Sequence, residues 1–209
     1  MYPAQPVTRT RAFVVVYSTA MGPNLAAVFL DRDGVLNEER PGYVLRPGQV
    51  RLLPGAAQGV RLLNAAGLLV VVVTNQSPIA RGLLTEAGLQ TIHCRLRELL
   101  AAEDATLDAI YYCPDIAGPL RKPEPGMLLQ AADDLGLDLA RCYLVGDQET
   151  DILAARRAGC RAAVALETAG HNCWNWMAGP DSSSDLRFPD WIAQNLLEAA
   201  RQIVAHLNS

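Results

Sequence analysis

The sequence predicts an α/β fold in which helices cover both faces of a doubly wound parallel sheet. Short apolar runs alternate with amphipathic segments along most of the chain, which is the pattern of successive strand–helix units. Several of these runs are apolar at every position, as strands buried on both faces require. Polar motifs follow these runs, and ligands of such folds bind outside the carboxyl ends of the strands.

The first predicted strand, residues 26–30, ends in two aspartates one residue apart, Asp31 and Asp33, followed by Gly34. Two carboxylates repel each other in a crevice of low dielectric constant, so their presence there implies a cation or a shared proton. A glycine lets the backbone turn away where a side chain would obstruct a ligand. Asp31 is therefore our candidate nucleophile.

The next part of the chain is polar and rich in turns. We expect residues 38–54 to form either a loop beside the site or a plain surface connection. A helix is predicted to begin after Pro54 and Gly55 and to end at Gly67. The second buried strand, residues 68–73, consists mostly of β-branched residues.

Hydroxyl and amide side chains follow this second strand directly. Thr74 either binds an oxyanion or caps a turn, and Asn75, Gln76 and Ser77 stand beside it. Because these groups lie at the same end of the sheet as Asp31, we expect them to face the same crevice.

A second helix and a third strand come next. Thr85 is the predicted N-cap of the helix, and His93 within it is interpreted as a surface or boundary residue rather than a ligand. The third strand, residues 109–112, is followed within ten residues by Arg121 and Lys122. The lysine therefore also reaches the carboxyl end of the sheet.

The alternation continues to the end of the chain. Acidic residues Asp147 and Asp151 follow the fourth strand, and residues 167–189 form a polar loop whose Trp174 and Trp176 lie over the core or form a rim. The predicted elements here are a helix over 127–135, a strand over 142–145, a helix over 152–158, a strand over 162–166 and a helix over 192–207 that packs on the sheet.

Up to four carboxylates would thus meet in one crevice, from Asp31, Asp33, Asp147 and Asp151. A hard divalent cation relieves their repulsion, and Mg²⁺ with oxygen ligands fits best, since no histidine or cysteine stands among these motifs. A cation, Lys122 and hydroxyl groups around a carboxylate nucleophile describe a phosphoryl-transfer site.

Four segments carry a recognisable pattern: DRDGVLN, VVVTNQS, RKPEPGM and VGDQETDI. In this order they resemble the four motifs of the haloacid dehalogenase superfamily, over roughly residues 25–166. The finer resemblance, which includes GYV, IYYCP and VVVTNQSxIARG, is to the phosphatases of heptose 1,7-bisphosphate, with histidinol-phosphate phosphatases as near relatives. No insertion large enough for a cap domain separates the motifs.

The resemblance implies a role for each matching residue. Asp31 would attack phosphorus and form an aspartyl-phosphate, and Asp33 would protonate the leaving oxygen and then activate water. Thr74 and Lys122 would bind the phosphoryl oxygens, while Arg121 would contact the substrate. The reaction implied is Mg²⁺-dependent phosphomonoester hydrolysis, with removal of the C7 phosphate from the heptose.

The resemblance also implies a metal site and a substrate site. Mg²⁺ would be held by the Asp31 carboxylate, the Asp33 carbonyl and Asp147, and Asp151 would align Lys122 or metal-bound water from further away. Arg81 either meets a second phosphate or is a solvated arginine. The candidate substrate-binding residues are Asn75, Gln76, Ser77, Arg81, Arg121 and Gln148.

Some positions depart from the pattern of that subgroup, which often has a structural zinc between IYYCP and RKP. Cys113 is present, but Asp115 stands where histidine is expected, and Gly118 and Leu120 occupy the two later cysteine positions. One cysteine and one aspartate cannot form a four-coordinate structural site, so we expect no structural zinc. Pro78 and Gln148 also replace usual residues near the substrate, which leaves the particular sugar open.

Two other functions were weighed. A histidinol-phosphate phosphatase or other sugar-phosphate phosphatase would share every catalytic residue, and only loop contacts would differ. A non-catalytic binding module that keeps the fold is disfavoured by the intact set of Asp31, Asp33, Thr74, Lys122 and Asp147. The expected partner is a small phosphorylated sugar or metabolite.

Length and composition set the remaining expectations. The chain of 209 residues fits one domain, which we place at residues 25–209, preceded by an extension of uncertain role at residues 1–24 that is an edge strand or a disordered leader. A net charge of −4 argues against binding to nucleic acid or anionic membrane. Five scattered cysteines without a CxxC pair suit a cytoplasmic protein with reduced thiols, and we expect a monomer.

Overall fold

The computed structural model describes residues 13–16, 25–167 and 188–207. They form a seven-stranded sheet with the strand order β1-β4-β3-β2-β5-β6-β7. The strands are β1 (Phe13–Val16), β2 (Ala27–Leu30), β3 (Leu69–Asn75), β4 (Ala109–Cys113), β5 (Tyr143–Gly146), β6 (Ala162–Leu166) and β7 (Trp191–Ala193).

Every neighbouring pair from β4 to β7 is parallel, and β1 alone runs antiparallel, along the outer edge of β4. The strands β2 to β6 are buried along almost their whole length, so their continuous apolar runs match the two-sided burial of a parallel sheet. The predicted parallel sheet is confirmed. β1 also agrees with the edge-strand alternative for the N-terminal extension, whose other residues lie outside the described ranges.

Helices cover both faces of the sheet, as predicted. Alternate residues of each strand point to opposite faces, so Val28 and Leu30 belong to one core and Ala27 and Phe29 to the other. The first core contains α1, α2 and α5, and the second contains α3 and α4. The helices are α1 (Ala56–Ala65), α2 (Glu86–Ala101), α3 (Gly126–Leu135), α4 (Glu149–Ala158) and α5 (Leu196–Leu207).

The last helix begins later than the sequence suggested. We expected helix from residue 192, but Trp191–Ala193 pairs with β6 as the strand β7, and α5 begins at Leu196. Asp190 accepts a hydrogen bond from the Ala163 N–H at 2.7 Å, which fixes the start of this pairing. Without β7 the outer edge of β6 would leave backbone groups unpaired. The two loop tryptophans, Trp174 and Trp176, lie outside the described residues.

The strand order determines where a ligand can bind. After β4 the chain returns across the sheet to β5, which lies on the other side of β2 from β3. The connections from β2 and β5 therefore leave the sheet in opposite directions, and a crevice opens between them. In the described segment between β2 and α1, a short 3₁₀ turn at Pro47–Gln49 is the only helical piece, so no separate folded unit covers the crevice from there.

Candidate active site

Asp31 and Asp147 meet at the switch point because they follow the adjacent strands β2 and β5. The Asp31 N–H donates to the Val145 carbonyl at 3.1 Å, which extends the pairing of the two strands by one residue. Gly34 has φ +81°, and a Cβ atom there would overlap the Asp147 carboxylate. Only glycine therefore lets the turn after Asp31 pass so close to the second carboxylate.

Lys122 reaches the crevice from the loop before α3. Asn75 at the end of β3 fixes its backbone, because the Asn75 side chain both accepts from the Lys122 N–H and donates to the Lys122 carbonyl, at 3.1 Å each. The Lys122 ammonium donates to the Val73 carbonyl at 2.8 Å. It also lies 3.0 Å from Asp31 Oδ1 and 2.6 Å from Asp151 Oδ1, with the lysine side chain only 2% exposed.

This arrangement determines the charge on Lys122 and Asp31. Burial alone would lower the pKa of Lys122, but the carboxylates of Asp151 and Asp31 outweigh it and raise that pKa above its usual value. Burial raises the pKa of Asp31 to about 6, against the opposing effect of Lys122 and with further repulsion from Asp151 and Asp33. Lys122 is thus a permanent cation 3.0 Å from the candidate nucleophile.

The residues present fit a divalent cation. Carboxylate oxygens of Asp31, Asp147 and Asp151 all lie within 4.8 Å of one another. Asp147 Oδ1 is buried and has no hydrogen-bond partner among the described residues. Burial and the neighbouring Asp31 and Asp151 carboxylates raise the pKa of Asp147 to about 8. A buried carboxylate oxygen without a donor, beside two other acids, is the environment that a cation stabilises.

Asp151 differs from the other two acids because both of its oxygens are engaged. Oδ1 lies 2.6 Å from the Lys122 ammonium, and Oδ2 accepts the backbone N–H of Gln148 at 3.1 Å as part of the N-terminal capping of α4. Gly146 makes room for it, since a Cβ atom there would overlap the Asp151 side chain. Asp151 thus lies against Lys122 from the start of α4, and its supporting role stays a prediction.

Asp33 lies 26% exposed beside the other acids and accepts four N–H groups. Arg32 donates to both of its oxygens, at 3.3 Å and 2.7 Å, while Asn37 donates to Oδ1 at 2.8 Å and Gln76 to Oδ2 at 3.2 Å. Burial raises the pKa of Asp33, but Arg32 and these hydrogen bonds outweigh burial and hold that pKa below its usual value. The same Gln76 amide donates to the Thr74 hydroxyl at 2.9 Å, which links the two motifs.

A cavity of about 320 Å³ opens above these groups. Its floor is formed by Asp31, Asp33, Asp147, Thr74 and Lys122, and its walls carry the charged side chains Glu39, Arg40, Arg81 and Arg121. Tyr43, which has φ +71°, and Val44 line it from the loop after β2. The loop over residues 38–54 thus contributes directly to the site rather than being a plain connection.

The structure brings most of the predicted residues together. All the proposed catalytic residues and metal-binding residues line the cavity, as do five of the six substrate-binding candidates, namely Asn75, Ser77, Arg81, Arg121 and Gln148. Gln76 does not line it, because its amide bonds to Asp33 and Thr74 instead. The Arg121 guanidinium donates to the Asp115 carbonyl at 3.0 Å, so this arginine is partly fixed at the rim.

Two residues that contact Asp33 were missed by sequence reasoning. Arg32 and Asn37 were read only as part of a motif, although both donate to the Asp33 carboxylate. His93 was expected at the surface or boundary but is fully buried against Arg32. Its place on the apolar face of α2, among Leu89, Ile92 and Leu96, was the signal that could have revealed this.

The loop between β4 and Lys122 contains the positions at which zinc ligands would be expected. The Cys113 thiol lies 3.9 Å from the Asp115 carbonyl, to which it donates, and Leu120 packs into the core beside α3. The absence of a structural zinc stays a prediction from the ligand set, and elemental analysis would test it. No helix within the described ranges is both long and apolar enough to cross a bilayer.

Comparison with known proteins identifies the family of this chain. Residues 25–159 match the family model of the haloacid dehalogenase-like hydrolases. The D-glycero-D-manno-heptose-1,7-bisphosphate 7-phosphatase of Thermosynechococcus vestitus is 43% identical over 195 residues, which cover 87% of this chain and 96% of that protein. The corresponding phosphatase of Escherichia coli K12 is 36% identical over 193 residues, which cover 88% and 96%.

A solved structure gives the same result. The D,D-heptose 1,7-bisphosphate phosphatase from B. bronchiseptica, complexed with magnesium and phosphate, superposes with a TM-score of 0.76 at 34% identity. The match covers 87% of this chain and 99% of that one. The family match spans well over half of the sequence and contains all four motifs of the crevice. The chain therefore belongs to the haloacid dehalogenase-like hydrolase family.

Proposed function

We propose that this chain is a Mg²⁺-dependent phosphatase that removes the C7 phosphate of D-glycero-D-manno-heptose 1,7-bisphosphate through an aspartyl-phosphate intermediate. The observation that carries the chemistry is the Asp31 carboxylate, 3.0 Å from the Lys122 ammonium at the floor of a cavity of about 320 Å³. The relatives match this chain over most of its length, and their names support the proposed substrate.

In the first step Asp31 attacks phosphorus and the bond to the sugar oxygen breaks. Lys122 and Thr74 line the same cavity as Asp31, where they bind the phosphoryl oxygens. Asp33 gives a proton to the departing oxygen, so the sugar leaves as a neutral alcohol. The phosphoryl group is then carried by the Asp31 carboxylate.

In the second step Asp33, now a carboxylate, takes a proton from a water molecule that attacks the aspartyl-phosphate. Inorganic phosphate leaves and Asp31 is regenerated. Four N–H donors fix the Asp33 carboxylate in this basic form, and the residue is still 26% exposed toward the cavity. The same proton transfer restores the protonated Asp33 for the next turnover.

The side chains of Asp31 and Asp147, with the Asp33 carbonyl, would bind Mg²⁺, and Asp151 would keep Lys122 in place. The fit is supported by the unpartnered Asp147 Oδ1 beside two other carboxylates. When bound, the cation supplies positive charge that stabilises the charge developing on the phosphoryl oxygens.

A bisphosphate suits the charge distribution of the cavity. Arg40, Arg81 and Arg121 line its walls, and Arg81 and Arg40 are exposed side chains. We propose that Arg81 and its neighbours meet the phosphate that is not cleaved, because guanidinium groups bind phosphate oxygens in a bidentate manner. Asn75, Ser77 and Gln148 are proposed to contact the sugar side of the ligand.

The test compares kcat/KM for both anomers of the heptose bisphosphate, for fructose 1,6-bisphosphate and for histidinol phosphate. Each assay is run with Mg²⁺ and with EDTA, and the Asp31→Asn variant serves as the control. We expect metal-dependent release of phosphate, highest for a heptose bisphosphate and lost in the variant. A higher kcat/KM for histidinol phosphate would overturn the proposed substrate. Turnover equal to that of Asp31→Asn would overturn the proposal that this chain is an enzyme.

A further inference from the structure

Arg32 is the largest fully buried side chain among the described residues, with 1% of its surface exposed. Burying a guanidinium is unfavourable unless each of its donors finds a partner. Its Nε and Nη2 donate to the two oxygens of Asp33, at 3.3 Å and 2.7 Å. This planar fork fixes both the position and the rotation of the carboxylate, which a single hydrogen bond cannot do.

The third group of the guanidinium has a separate partner on α2. Arg32 Nη1 lies 3.4 Å from His93 Nε2, and the His93 side chain is fully buried. A guanidinium has donors only, so Nε2 must be the unprotonated nitrogen that accepts, and the imidazole is neutral with its proton on Nδ1. Burial and the Arg32 charge lower the pKa of His93 to about 3, in agreement with this form.

The His93 ring is itself held in place. It packs edge-on against the Tyr112 ring, at 5.8 Å between centroids, in the interface between α2 and β4. His93 Nδ1 has no hydrogen-bond partner among the described residues, so Nε2 makes the one polar contact that the structure gives this side chain. A buried polar side chain with a single partner acts mainly through the contact with that partner.

The two charge networks of the site are separate. Lys122 pairs with Asp31 and Asp151, whereas the Arg32 guanidinium pairs, among the described residues, with Asp33 alone. Without Arg32, Asn37 would hold only Oδ1 and Gln76 only Oδ2, each through one amide. Loss of Arg32 would thus remove two of the four N–H groups that hold the Asp33 carboxylate, including the charged pair, and loosen its orientation toward the leaving oxygen.

From these contacts we propose that Arg32, fixed by His93 on α2, is a positioning residue that orients the Asp33 carboxylate for proton transfer. The inference rests on the proposed function, in which Asp33 is the acid and base. Neither Arg32 nor His93 lines the cavity, so both act through Asp33 rather than on the substrate.

The test compares two substrates that differ in whether the leaving group needs a proton. A sugar phosphate needs a proton on its departing oxygen, whereas p-nitrophenyl phosphate releases a stable phenolate that needs none. The Mg²⁺-loaded full-length protein is assayed on both esters, and kcat/KM is compared for Arg32→Met, His93→Leu and His93→Gln. Tyr112→Phe is the matched control, because it keeps the ring that packs against His93.

We expect Arg32→Met to lower kcat/KM for heptose bisphosphate on the order of 10²-fold, as when general acid catalysis is lost, with a much smaller change for p-nitrophenyl phosphate. His93→Leu should reproduce part of this selective loss. His93→Gln should recover much of it, because the Gln oxygen can accept from Arg32. Tyr112→Phe should leave the ratio of the kcat/KM values for the two esters unchanged.

Equal losses of kcat/KM on both esters would mean that Arg32 and His93 only support the fold. No loss of kcat/KM would mean that Asp33 needs neither residue. Either result overturns the inference. These failures differ from failure of the proposed function, in which the unmodified protein hydrolyses neither ester. Thermal unfolding of each variant accompanies the kinetics, and a variant that does not fold is replaced by Arg32→Lys, which keeps the charge and loses the fork.

Discussion

Lys122 lies between the carboxylates of Asp31 and Asp151, and its positive charge offsets the repulsion between them. The ammonium contacts Asp31 at 3.0 Å and Asp151 at 2.6 Å, and Asn75 fixes the backbone on both sides of it. Removing one member of a buried ion pair is strongly unfavourable because the partner stays desolvated. Lys122 therefore serves folding and phosphate binding through the same contacts.

Asp147 makes the stability of the metal-free protein depend on pH. Its pKa is raised to about 8 in the fold and is near 3.8 in the unfolded chain, so the folded state binds more protons between these values. The free energy of unfolding should therefore fall as pH rises through this window, by roughly 2 kcal/mol or more. Asp31, with a pKa of about 6, acts in the same direction.

Adding Mg²⁺ should reverse this trend, because a cation replaces the proton on Asp147. We expect the metal to raise the free energy of unfolding more at about pH 8 than at about pH 5, since protons compete with it at the lower value. Denaturant unfolding with Mg²⁺ and with EDTA at both pH values measures the difference. Asp147→Asn should flatten the pH dependence and reduce the metal effect, and an unchanged metal effect in this variant would place the cation elsewhere.

Motif residues could be predicted at this scale, whereas their supporting contacts could not. Asp31, Thr74, Lys122 and Asp147 stand at or near strand ends, so the strand pattern alone brings them to one edge of the sheet. The contact between Arg32 and His93 joins residues 61 positions apart, and neither local spacing nor charge pattern indicates it. A lone histidine on a helix gives no signal of its partner.

At the level of elements, the register of the parallel strands determines how closely the acids approach. Leu30 pairs with Val145, so Asp31 and Gly146 leave the sheet side by side and Asp147 follows one residue later. The predicted strands and the internal helices agree with the structure because each apolar run is longer than the turn-forming stretches that bound it. Ile192 and Ala193 were predicted as helix because the three residues of β7 carry too little periodicity to distinguish this strand from the start of α5.

The strand β1 contributes no residue to the lining of the cavity, which leads to a prediction about residues 1–24. β1 pairs only with the outer edge of β4, whereas every residue of the cavity lies between Asp31 and Thr150. We propose that residues 25–209 form the catalytic domain. Deleting residues 1–24 should leave kcat/KM for p-nitrophenyl phosphate nearly unchanged and lower the thermal unfolding temperature, because the β4 edge loses its backbone partners.

The comparison is made between the full chain and the shortened one, under the same Mg²⁺ concentration. Size-exclusion chromatography of both also tests the expected monomer, since an exposed strand edge favours association. A loss of kcat/KM comparable to that of Asp31→Asn would show that the extension contributes to the site. In that event the proposed domain boundary would be wrong.

For the whole molecule, two apolar cores on opposite faces hold the sheet rigid while its carboxyl edge stays open. The cores are filled by α1, α2 and α5 on one face and by α3 and α4 on the other. The end of β3, the segments after β2, β3, β4 and β5, and the first turn of α4 then contribute the polar groups of the cavity. Reaction chemistry was predictable from the ordered motifs, but the sugar was not, because Arg40, Tyr43 and Arg81 are placed by irregular loops.

The most direct test of the central claim is to trap the phosphoryl group on Asp31. The Asp33→Asn variant with Mg²⁺ is mixed with p-nitrophenyl phosphate, whose leaving group needs no proton, then quenched in acid within one turnover and digested for mass spectrometry. We predict a phosphorylated peptide with the added mass on Asp31, because attack proceeds while hydrolysis of the aspartyl-phosphate lacks its base. Phosphate release with no phosphorylated Asp31 at any quench time, in the variant and in the unmodified protein, would contradict the account.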